Sequence, residues 1–138
     1  MKKIGNSSIW YEKYKPQCIE DLILPKDLKN NLQESVKSQN FPHMLLSSSL
    51  GGTGKSATCN AILKDIGGEA LWINSSLENG IDTLRGKIQK FASTGSFDDN
   101  IKIVVMDEFD HMSHNAMAAF RGFLDEFGTT GTILNKDE

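Results

Sequence analysis

Leu28, Leu32 and Val36 recur at four-residue spacing with Lys and Asn between them, which predicts a short amphipathic helix ended by Phe41-Pro42. Ahead of it, Trp10-Tyr11-Glu12-Lys13-Tyr14-Lys15-Pro16 mixes aromatic and charged residues without a period and reads as an extended loop. Met44-Leu45-Leu46-Ser47 reads as a buried strand running into the glycine-rich Gly51-Gly52-Thr53-Gly54. Cys59, Ile62, Leu63 and Ile66 then share one helical face, and Gly67-Gly68 supplies the stop. The alternation repeats. Ala70 to Ile73 is a predicted strand, and Ile81, Leu84, Ile88 and Phe91 line a helix. Ile101 to Met106 is the clearest strand, with acidic residues at its C-terminal side. Ala116, Phe120, Phe123, Leu124 and Phe127 mark another helix, and Gly131 to Leu134 begin a fourth strand. Strand and helix in alternation imply a three-layer αβα fold around a parallel sheet.

At 138 residues, with 38% hydrophobic and 24% charged, the chain is expected to build one core. Its longest apolar stretches are about five residues, far short of the roughly 18 that span a bilayer. The basic start, Met1 to Asn6, precedes no apolar stretch of the kind a signal peptide needs, so a cytoplasmic protein with no membrane association is expected. Cys18 and Cys59 lack metal-ligand spacing and fit reduced thiols. A formal net charge of -3 argues against coating nucleic acid by bulk electrostatics, though not against local contacts.

The chemistry sits in two places. Ser49-Leu50-Gly51-Gly52-Thr53-Gly54-Lys55-Ser56 lies between a predicted strand and a predicted helix, where a phosphate-binding loop belongs. Small residues let backbone N–H groups turn towards phosphates, and the helix start adds partial positive charge. Gly51, Gly52, Thr53, Gly54, Lys55, Ser56 and Ala57 are therefore the expected phosphate contacts. Lys55 reaches the β- and γ-phosphates, and the Ser56 hydroxyl helps to hold Mg²⁺. Ser49 stands where the pattern has its first glycine, a departure at the loop entry. A flexible Gly/Thr turn is the plain alternative.

Asp107-Glu108 closes the apolar run Ile103 to Met106, and strand ends at the carboxyl edge of such a sheet face the ligand crevice. Asp107 is the expected Mg²⁺ ligand and Glu108 the base that activates the attacking water. The bland alternative, capping of the next helix, suits Asp110 better. Asn135-Lys136-Asp137-Glu138 nearly spells a guanine-reading sequence, but its last residue is wrong. Asp107-Glu108-Phe109-Asp110 also lacks the glycine a GTPase has three positions after its aspartate. ATP is the expected nucleotide.

These residues carry a resemblance. Trp10 to Pro16 resembles the opening W-x-E-K-Y-R-P of AAA+ clamp-loader ATPase subunits, with Lys15 in place of arginine. Phe41 to Leu46 is similar to their pre-loop strand. Asn74-Ser75-Ser76 with Gly80 to Arg85 is similar to their N-A-S-D…G-I-D-x-x-R, and Asp107 to Asp110 to their D-E-x-D box. Phe91-Ala92-Ser93, Ser96-Phe97-Asp98 and Phe109 look most like the large-subunit branch of bacteriophage T4-type loaders.

The resemblance implies several further features. An arm, residues 1–25, wraps the adenine through Tyr11, Glu12, Lys13, Tyr14 and Ile23, ahead of an incomplete P-loop core at 26–138. Gly80, Ile81, Arg85 and Arg121 face the backbone of primer-template DNA. The implied partners are other loader subunits in a hetero-oligomeric ring and a sliding clamp. Met117, Ala118 and Gly122 stand where the family has a Q-Q…R-R pattern, a departure that bears on coupling between DNA and ATP.

Family members continue with a completed fourth strand bearing a sensor asparagine, a fifth strand, a Ser-Arg-Cys motif, a lid and a collar. Asn135 lies about three residues early for that sensor by alignment, and Lys136-Asp137-Glu138 reads as a replaced terminus. A domain truncated before its last strand and lid is therefore expected, with a separately encoded C-terminal half as one explanation. Two classes stay open: an ATPase subunit of a clamp loader, inactive by itself, and a nucleotide-binding assembly piece without turnover.

Overall fold

A computed structural model of the chain describes residues 9–78, 80–95, 101–126 and 132–137. The order is α1 (Trp10–Lys13), α2 (Lys26–Lys37), β1 (Met44–Ser48), α3 (Lys55–Ile66), β2 (Glu69–Asn74), α4 (Ile81–Ser93), β3 (Lys102–Asp107), α5 (His114–Glu126) and β4 (Thr132–Asp137), with single 3₁₀ turns at Ile19–Asp21 and Phe109–His111. All strand pairs are parallel, in the order β1-β4-β3-β2. Every strand therefore ends at one common edge, at Ser48, Asn74, Asp107 and Asp137.

Side-chain alternation along β3 divides the core between the two faces. Ile103 and Val105 join Leu32 of α2 and Cys59, Ala61, Ile62 and Leu63 of α3. Val104 and Met106 join Leu84 and Ile88 of α4 and Ala116 and Phe120 of α5. Each fully buried aliphatic side chain contributes roughly 2 kcal/mol relative to exposure, so β3, apolar on both faces, is the spine of both layers. The three-layer αβα expectation holds.

The structure corrects four expectations in detail. Trp10 to Pro16 is not an extended loop throughout, because Trp10–Lys13 forms one helical turn in which the Lys13 and Tyr14 N–H groups donate to Ile9 and Trp10. The helix over Leu28 to Val36 stops at Lys37, before Phe41-Pro42, where Gln39 takes a φ of 53°. β1 is not buried: it is the outermost strand of the described sheet, and Leu45 is 56% exposed. Finally, Lys136 and Asp137 are strand residues, although their sequence does not read as a strand end. They pair with Ser47 and Ser48, since backbone pairing in a parallel ladder does not depend on those side chains. Phe127, Ser96-Phe97-Asp98 and Glu138 lie outside the described residues.

Candidate nucleotide-binding site

Residues 49–54 turn the chain from the end of β1 into the start of α3. The Ser48 hydroxyl fastens this entry, donating to the Leu50 carbonyl at 3.1 Å and accepting the Leu50 N–H at 3.3 Å. Ser49 takes no positive φ, so the glycine absent there is not required by the backbone. Gly54 differs. Its φ of 93° lies where a Cβ is strained, although open space surrounds it. As N-cap of α3 it brings no side chain to the helix start, where an anion is favoured by the leftover N–H groups and the dipole. Thr58 closes the first turn, its N–H and hydroxyl both donating to the Gly54 carbonyl at 2.8 and 3.0 Å.

β3 reaches the same edge. Asp107, half-buried, is its last residue, and the Glu108 N–H donates to Asp107 Oδ1 at 3.2 Å. Glu108 takes a φ of 53°, a left-handed conformation that costs a non-glycine residue about 1 kcal/mol or more. That turn ends the strand and leaves Glu108 exposed at the sheet edge. Burial pushes the Cys59 thiol on α3 up to about 12, and the Asp107 charge adds to the rise. The end of β3 thus acts electrostatically on the helix that the loop begins. Asp110 does not cap α5; the Ser113 hydroxyl accepts the Ala116 N–H at 3.3 Å.

Two clefts flank the head of α3. One, of about 300 Å³, lies between the N-terminal arm and α3 and is lined by Tyr11, Tyr14, Lys15, Ser56, Ala57 and Asn60. The other, of about 380 Å³, is lined by Leu24, Leu28, Leu45, Thr53, Lys55 and Thr58 among others. Tyr11 and Tyr14 are therefore brought beside the helix that carries Ser56 and Ala57. Glu12, Lys13 and Ile23 line neither cleft, and Ile23 is fully exposed. The pattern at the sequence level missed Asn60, one helical turn beyond Ser56, whose Nδ2 donates to the Ser56 carbonyl at 2.8 Å. Its i+4 spacing from Ser56 is the signal that finds it.

Ser56 and Asp107 offer a hydroxyl and a carboxylate, the hard oxygen donors Mg²⁺ takes alongside phosphate oxygens and water. The residues present fit that ion. Gly80 is the N-cap of α4, Ile81 its first residue, and Arg85 and Arg121 are exposed on α4 and α5, which cover the same sheet face.

Fold and site together define a P-loop nucleotide-binding domain, with the loop after one strand and an acidic strand end two places away in the sheet. A family model described as the Rad17 P-loop domain matches residues 2–128, and the chain belongs to that family. Replication factor C small subunit of Halobacterium salinarum is 34% identical over 135 residues, covering 94% of this chain and 42% of that protein. Replication factor C subunit 5 of Homo sapiens is 38% identical over 125 residues, covering 86% and 36%. This chain thus spans about two fifths of the length of the curated relatives it matches. Among solved structures, the Thermotoga maritima RuvB Holliday junction branch migration motor aligns with a TM-score of 0.68 at 12% identity, over 90% of this chain and 42% of that one, which shows a shared fold. No helix among the described residues is long and apolar enough to cross a membrane.

Proposed function

We propose that the chain is the N-terminal part of an ATPase subunit of a DNA sliding-clamp loader, acting in DNA replication on primer-template DNA. The observation that carries this reading is that loop 49–54 and Asp107-Glu108 open on one edge of the sheet, with only β4 between β1 and β3. The two relatives described above carry names of replication factor C subunits, which supports the loader assignment.

In this reading residues 1–25 are the nucleotide-wrapping arm and 26–138 the P-loop core. Gly51 to Ala57 cradle the phosphates, Lys55 neutralises β- and γ-phosphate charge, and Tyr11 and Tyr14 flank the base, with Glu12, Lys13 and Ile23 as weaker candidates. Ser56 and Asp107 hold Mg²⁺, which when bound spreads the charge developing on the γ-phosphate. Glu108 accepts the proton of the attacking water. Gly80, Ile81, Arg85 and Arg121 meet the DNA backbone, and the partners are other loader subunits, a sliding clamp and the C-terminal remainder of the subunit. The bacteriophage T4-type branch, carried in the sequence by Phe91-Ala92-Ser93, Ser96-Phe97-Asp98 and Phe109, is our finer reading, with the host cytoplasm as location.

Turnover also needs a charge-stabilising arginine, worth roughly 10³ to 10⁵ in rate. The clamp-loader resemblance implies that this arginine comes from a neighbouring subunit, so the chain by itself should hydrolyse ATP hardly at all. The test is steady-state ATP hydrolysis with and without a C-terminal complement, partner subunits, clamp and DNA. Rescue by the complement supports the ATPase subunit. Binding without rescue supports the second class, an assembly piece that holds nucleotide without turnover. Robust hydrolysis by the purified monomer, lost in Lys55→Ala, overturns the account.

A further inference from the structure

Nothing of α1 is buried, and Tyr11 and Tyr14 are 75% and 69% exposed, so apolar packing does not fix the arm over its cleft. The arm is held at its base instead. The Ile19 N–H donates to Asp65 Oδ2 at 2.8 Å, across 46 residues of sequence, and the Ile19 side chain is buried in the core beside it. The Lys64 ammonium donates to Gln17 Oε1. The other end of that amide, Gln17 Nε2, donates to the Lys15 carbonyl at 2.9 Å, and Lys15 lines the cleft. A further bond runs from the Gln17 N–H to Asp21 Oδ2 at 3.2 Å.

Lys64 and Asp65 occupy the last turn of α3, and the phosphate loop leads into its first. We propose that Gln17, Lys64 and Asp65 form a clasp that positions the arm, so that α3 acts as a ruler between the phosphate end and the base end of the nucleotide cleft. From Ser56 to Asp65 the helix rises about 13 Å. A rigid helix holding both ends fixes their separation, and the Gln17 amide passes that constraint to the wall at Lys15. These are positioning residues; none of the three lines either cleft. The proposal rests on the nucleotide-site reading above and names what sets its base end.

Two ligands separate a positioning role from general stability: MgATP, and magnesium tripolyphosphate, which has phosphates but no base or ribose. Asp65→Ala and Gln17→Ala should each weaken MgATP binding by roughly five- to tenfold, the worth of about one lost hydrogen bond, while tripolyphosphate affinity holds. Asp65→Asn keeps an acceptor for the Ile19 N–H and should restore MgATP affinity. Unchanged MgATP affinity, or an equal loss for both ligands, overturns the clasp. If Asp65→Ala fails to fold, Gln17→Ala, at an exposed position, carries the same comparison. Failure of the nucleotide reading itself looks different: Lys55→Ala would leave both ligands bound as in the parent.

Discussion

The Ser75 N–H donates to the Asp107 carbonyl oxygen across 2.9 Å, one step beyond the paired positions Asn74 and Asp107. This bond adds one backbone rung beyond the last β2–β3 pair, and the next residue, Glu108, takes the left-handed φ of 53° that turns the chain out of the strand. Asp107 is thus tied into the sheet through its backbone at the strand end, with Glu108 exposed just beyond it.

Glu108→Gln should keep MgATP binding and lose hydrolysis by a factor of about 10² or more in a complemented assembly, because an amide accepts no proton from water. Single-turnover hydrolysis against binding by fluorescent ATP displacement checks this. Turnover within a few-fold of the parent would remove Glu108 from the role of base.

Lys55→Ala should abolish ATP binding with little change in thermal stability, since in the proposed function the ammonium neutralises phosphate charge, and Lys55 lines a cleft with Thr53. Calorimetric titration with MgATP, paired with a melting curve, reads both effects. A folded variant of parental affinity would sink the loop assignment.

Gly54→Ala should destabilise the fold by about 1 to 2 kcal/mol, through the backbone conformation alone. At φ 93° an alanine Cβ meets no neighbour within 4 Å, so no steric term adds to the strain. Urea denaturation would show the loss as a lower midpoint with an unchanged slope.

Cys59 should resist thiol reagents in the native state while half-exposed Cys18 reacts. Its thiol is raised from the ordinary 9.0 to about 12, so the folded chain holds the proton more tightly than the unfolded one. The resulting stabilisation is complete below pH 9.0 and is lost as pH rises from there towards about 12. Comparing urea midpoints of parent and Cys59→Ala across that range isolates the effect from Lys and Tyr titration. A parallel decline in the two proteins would show that Cys59 contributes none of it.

Much of this was written in local pattern. The four-residue spacing of Leu28, Leu32 and Val36, the apolar run at Ile103 to Met106 and Gly67 at the end of α3 specify their elements, because helix and strand periods and a left-handed cap are properties of short segments. The phosphate loop is equally local, since its function depends on consecutive N–H groups and one helix start. That sequence also determined the order of strand and helix, and with it a parallel αβα sheet. Tertiary structure alone decided which strands are neighbours. The placement of β4 between β1 and β3 puts the loop and the acidic pair two strands apart, and leaves β1 outermost with Leu45 exposed. Tertiary structure also decided where the arm is tied down: Ile19, beyond the local helical turn at Trp10 to Lys13, bonds to Asp65 at the far end of α3. Such bonds span 46 residues, and no local periodicity records them, because they depend on where two separately formed elements meet.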